Sequence, residues 1–86
     1  MNDIFATLGS VVFYDCEYEA LGPVEYERQV ALALALTCWH NGCETIGSGE
    51  LRVISTGWTD CFTYPCFGIR FRDELWAEVV LSGLEG

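Results

Sequence analysis

Eighty-six residues suffice for one domain, expected to span residues 1–86, and a 51 % apolar content excludes an intrinsically disordered chain. Thirteen carboxylates face only four cations, Arg28, Arg52, Arg70 and Arg72, for a net charge of −9. Such a body repels nucleic-acid backbones and anionic membranes and attracts basic protein surfaces, so neither direct nucleic-acid binding nor membrane binding is expected.

In chain order, residues 2–8 read as a short helical turn that Gly9 ends. From Val12 the chain alternates: Val12, Tyr14, Cys16 and Tyr18 face one way and Asp15, Glu17 and Glu19 the other, the signature of a half-buried strand within residues 10–20. Leu21-Gly22-Pro23 breaks it. Pro23 suits the first position of a helix, Glu25 and Glu27 complement the dipole of its first turn, and Gly42 fits its C-cap. The main helix is therefore expected over about 23–41. Its alanines decide against a strand, although Val30, Leu32, Leu34 and Leu36 also alternate. Val30, Leu34 and Cys38 fall on one side of the wheel, with Leu32, Leu36 and Trp39 nearly opposite. So wide an apolar arc predicts cover on two sides, by the sheet and by another helix or a second subunit in a homodimer.

Beyond a glycine- and serine-rich loop, Glu50–Ser55 reads as a strand ended by Thr56-Gly57, and residues 57–66 read as a connection bearing aromatics. Phe67, Ile69 and Phe71 alternate with Gly68, Arg70 and Arg72 in a further strand. Asp73 then fits an N-cap, with Leu75, Trp76, Val79 and Val80 at helical spacing; a terminal strand through Val79 and Val80 is the alternative. The fold class expected is α+β: a three- to four-stranded, largely antiparallel sheet packed by one main helix, with a second, C-terminal helix or a strand closing the chain.

The chemistry-bearing residues are sparse. Cys38, Cys43, Cys61 and Cys66 form two pairs with four residues inside each, at the edge of zinc-site spacing, and Cys61–Cys66 is also a conceivable disulfide. With five cysteines and no basic leader after Met1, buried reduced thiols in a cytoplasmic protein are the expectation. His40 is the single histidine, so it alone can serve a nucleophile. Gly47-Ser48-Gly49 lacks the lysine and hydroxyl of a phosphate loop. These signals lead to no enzyme, no cofactor and no bound metal. The acidic row is more telling: Asp15, Glu17 and Glu19 on one strand face stand about 6.7 Å apart, with Glu25 and Glu27 close behind. Trp58, Asp60 and Tyr64 add aromatics beside a carboxylate, a frequent interface composition. All eight are read as partner-binding residues.

A tiny acidic domain with these features resembles, in size, charge and the Asp15–Glu27 acidic stretch, the phage-encoded inhibitors of bacterial defence, of the anti-CRISPR and nucleic-acid-mimic type. That resemblance implies a host-cytoplasmic inhibitor whose partner is a basic, nucleic-acid-handling protein or nucleoprotein complex such as a CRISPR–Cas effector. The alternatives are a self-associating structural protein built on the Ala/Leu-rich helix, and a small zinc or redox module using Cys38, Cys43, Cys61 and Cys66.

Overall fold

A computed structural model describes residues 8–16, 24–58 and 64–83. Its elements run β1 (Gly9–Phe13), α1 (Val24–His40), β2 (Ile46–Ser48), β3 (Leu51–Trp58), β4 (Pro65–Phe71) and β5 (Glu74–Leu81). The strands form one antiparallel sheet in the order β1-β5-β4-β3-β2, and α1 packs against one face of it. The α+β class expected from the sequence is what the chain adopts, with five strands among the described residues rather than three or four. The turn expected over 2–8 lies almost entirely outside the described residues.

The main helix begins and ends within a residue of its expected bounds. Gly42, at φ 74°, closes it: its N–H donates to Trp39 O at 3.0 Å and that of Cys43 to Cys38 O at 3.0 Å, satisfying carbonyls the last turn leaves open. The face it buries centres on Ala31 and Ala35, flanked by Leu32 and Cys38, while Tyr26, Thr37 and His40 are exposed. Among the described residues only the sheet covers this helix, so the expected second cover is not observed there. Beneath α1, Val53, Phe67, Ile69, Val79 and Leu81 complete a core without buried polar side chains among the described residues. Each of these large side chains contributes roughly 1.5–3 kcal/mol on leaving water.

Four departures from the sequence reading have local causes. The first strand stops at Phe13 rather than running through residues 10–20, and its facing is reversed. Val11 and Phe13 turn to the core, opposite Val79 and Ala77, while Val12 and Tyr14 face outward. Val11-Val12-Phe13-Tyr14 is apolar at both parities; Phe13 settles the choice by packing on Trp76, centroids 5.3 Å apart. Second, Ile46–Ser48 is an edge strand inside the expected loop, joined to β3 through Gly49-Glu50. Third, β3 passes through Thr56-Gly57 instead of ending there. A bulge between Ser55 and Gly57, with Gly57 at φ 96°, lets pairing resume at Gly57↔Cys66 and Trp58↔Pro65.

Fourth, the last described element is a strand, the alternative the sequence left open, and not the C-terminal helix. Asp73 is a turn residue instead of an N-cap: Arg72 and Asp73, at φ 52° and 66°, form the tight β4–β5 connection. A bulge against Ile69/Arg70 makes Trp76 the extra residue, so Trp76 and Ala77 are buried side by side. That doubled burial broke the alternation and imitated helical spacing.

Burial pushes the Cys38 thiol above its ordinary value, with the neighbouring Cys43 thiol adding to the shift; Sγ donates to Glu44 O at 3.1 Å. A raised folded-state pKa means the fold holds this proton more tightly than the unfolded chain does. The associated stability is therefore complete at neutral pH and is lost as pH climbs past about 9. Denaturant midpoints should fall from pH 8 to pH 10, and Cys38→Ala should remove part of that fall. An equal slope in Cys38→Ala contradicts the assignment.

Candidate functional site on the open sheet face

The register sorts the side chains of the sheet opposite α1. Ser10, Val12 and Tyr14 come from the β1 end, Val80, Glu78 and Leu75 from β5, Cys66, Gly68 and Arg70 from β4, and Arg52, Ile54 and Thr56 from β3. No described element covers this face. Two groups on it have chemistry.

The first lies at the β1–β5 edge. Val12 pairs with Glu78, and the Tyr14 hydroxyl donates to Glu78 Oε1 at 2.5 Å. That bond, with Glu78's charge, raises the Tyr14 pKa, so its phenol stays protonated beyond its usual range. Val12 is 55 % and Tyr14 42 % exposed. Asp15 follows directly and is exposed too. The result is an apolar and aromatic surface with a fixed carboxylate in it. Sequence reasoning missed Val12 and Tyr14 as surface contacts because it assigned the wrong parity to the first strand, and Glu78 because it read that segment as a helix.

The second group sits where two hairpin turns meet. Arg72 N donates to Glu50 O at 3.0 Å, and Arg72 Nε to Glu50 Oε2 at 3.0 Å, tying the Arg72-Asp73 turn to the Gly49-Glu50 turn. The Arg72 guanidinium lies over the Phe71 ring, 5.3 Å from its centroid. Arg70 Nη1 donates to Asp73 O at 2.9 Å, and Arg52 stands directly opposite Arg70 in the ladder. Gly49, Glu50, Arg52, Arg70, Arg72 and Asp73 line a concavity of about 320 Å³. No spacing rule foretells it, since its three arginines are scattered over the 21 positions from Arg52 to Arg72 counted inclusively.

The eight expected contact residues divide. Asp15 is exposed at the end of the sheet that carries the β4–β5 turn, and Glu27 is half-buried on α1. Glu17, Glu19 and Asp60 lie outside the described residues, as does the Glu25 side chain. Trp58 is 59 % exposed yet leans edge-on against Trp39, centroids 6.2 Å apart, closing the C-terminal end of α1. Tyr64 is half-buried just before β4. Trp58 and Tyr64 therefore gather at the opposite end of the sheet from Asp15, a strand length of about 20 Å away. Of the cysteines in the zinc alternative, Cys38 is buried, Cys43 and Cys66 are half-buried and Cys61 lies outside the described residues. Among the described residues no three of His, Cys, Asp and Glu are grouped as metal donors. His40 is exposed in the last turn of α1. No helix of the described chain is long and apolar enough to cross a membrane.

No family model matches this chain, and no curated protein and no solved structure is significantly similar to it.

Proposed function

We propose that the protein is a non-enzymatic binding protein that seats on a cationic surface of a nucleic-acid-handling protein or nucleoprotein complex and blocks access of nucleic acid, in the manner of the phage-encoded defence inhibitors. One observation carries this reading: the way charge is distributed over the fold. Among the described residues, two carboxylates and three arginines line the concavity at the turns, and the side chains outside it carry five carboxylates, Asp15, Glu27, Glu44, Glu74 and Glu78, against a single arginine. That arginine, Arg28, is part-buried and donates to Gly9 O at 2.7 Å. The described surface outside the concavity is thus predominantly anionic, which accelerates encounter with lysine- and arginine-lined grooves.

Charge alone steers without anchoring. The Val12, Tyr14 and Glu78 patch supplies what a contact needs: apolar area, an aromatic ring and a carboxylate held in place, with Asp15 at its margin. Asp15 is the described member of the acidic stretch that the sequence offers to a basic partner.

Immobilised protein should retain from bacterial extract a nucleic-acid-binding protein that a duplex oligonucleotide displaces. The variant Asp15→Lys, Glu17→Lys, Glu19→Lys should fold, by circular dichroism, and lose at least about tenfold in affinity, since each charge-assisted contact is worth about 1.5–3 kcal/mol. Retention unaffected by the triple reversal, or by the oligonucleotide, defeats the proposal.

A further inference from the structure

Two like charges directly opposite on a sheet repel, and a protein with few cations has no need to place them so. Arg52 and Arg70 are such a pair, on the outer face and both exposed. Arg70 is anchored at the turn through Asp73 O, and Arg72 reaches the same concavity while bonded to Glu50. Arg52 has neither a hydrogen bond nor an ion pair among the described residues. The turn holding this arrangement places Arg72 and Asp73 in the left-handed region, which aspartate tolerates and arginine seldom adopts.

We propose that Arg52, Arg70 and Arg72 form a binding site for a small phosphorylated ligand. With Arg72 already paired to Glu50, the opposed Arg52 and Arg70 guanidiniums remain without a carboxylate partner among the described residues, two positive charges that call for more than one unit of negative charge. A phosphate monoester supplies close to two near neutral pH, with three acceptor oxygens for planar bidentate donors; a single carboxylate supplies one. Glu50 is committed to Arg72, leaving the opposed Arg52–Arg70 pair to grip the ligand. The concavity of about 320 Å³ is at the lower limit for small-molecule sites, large enough for a phosphate carrying a sugar-sized or nucleoside-sized group. The ligand neutralises the repulsion that the empty pair sustains. This inference stands apart from the acidic-surface reading: it uses the one part of the molecule that reading leaves out.

The test is a titration of the full chain, followed by amide NMR, with inorganic phosphate, adenosine monophosphate, acetate and potassium chloride at matched ionic strength. Phosphate and the monophosphate should produce saturable shifts confined to Gly49–Arg52 and Arg70–Asp73, and acetate and chloride should not. Arg52→Gln should weaken phosphate binding at least about tenfold while leaving the ligand-free protein as stable as before or more so, because it relieves the like-charge pair. Arg52→Lys, which keeps the charge and removes the planar fork, should also bind more weakly, and serves should the glutamine variant fold poorly. Equal shifts with chloride, or full binding in both variants, overturn the proposal. So does a short single-stranded oligonucleotide binding far more tightly than the monophosphate, since the site would then be part of a nucleic-acid surface.

Discussion

Phe67→Ala should destabilise the domain by about 3–5 kcal/mol, the usual penalty for removing a buried aromatic ring and leaving its cavity. Phe67 has no exposed surface and sits at the middle of β4, opposite Val79 on one side and Ser55 on the other. It therefore joins the two halves of the sheet beneath α1. Domains of this size have a total stability of roughly 4–13 kcal/mol at about 0.05–0.15 kcal/mol per residue, so the variant loses a large share of it. Urea and thermal melts should show the midpoint falling by about 15 °C or more. Tyr26→Ala, at a position 52 % exposed on the far side of α1, should stay within about 0.5 kcal/mol of the parent. Comparable effects at the two positions contradict the placement of the core.

Gly9→Ala should be nearly as damaging, for a different reason. A Cβ at Gly9 falls 1.9 Å from Val80 O and 2.9 Å from Val80 C, both backbone atoms that no rotamer change can move aside. The variant must push β1 away from β5 and weaken what β1 holds: Val11 and Phe13 against the core and the Arg28 bond to Gly9 O. Overpacking of this kind costs about 1–3 kcal/mol and more where backbone is the obstacle. Amide exchange should accelerate along β1 and β5 before it does along β3. Gly68→Ala is the contrast: its Cβ meets Thr56 Cγ2 at 3.5 Å and Leu75 Cδ1 at 3.6 Å, ordinary contact distances, and little should change. Similar melting curves for the two alanine variants are incompatible with this register.

How much of this was legible depended on whether local pattern and tertiary choice agreed. The helix was legible because Ala31, Ala35, Gly42 and the first-turn acids all favour one outcome. The alternation of Phe67, Ile69 and Phe71 likewise revealed β4. The pattern misled where two parities were equally apolar, as in Val11-Val12-Phe13-Tyr14, and only pairing with β5 decided between them. It misled again at Trp76-Ala77, where a bulge made neighbouring residues share burial. The β2 edge strand was hidden because three residues containing Gly47 and Ser48 carry no strand signal of their own. The candidate sites were harder still. Glu78 meets Tyr14 across 64 positions, and Arg52 meets Arg70 through a ladder no spacing rule anticipates. The charge excess was visible from composition, but its division into an arginine cluster and an acidic remainder needed the fold.

Affinity as a function of ionic strength puts the acidic-surface reading to its most direct trial. With the captured partner, log affinity should fall steeply as salt rises from about 0.05 M to about 1 M, where the screening length shrinks to roughly 3 Å, and the Asp15, Glu17 and Glu19 reversal should flatten that slope. A complex that holds equally well across the whole range, in the parent and in the reversed variant alike, means that negative charge is not what brings the partner in.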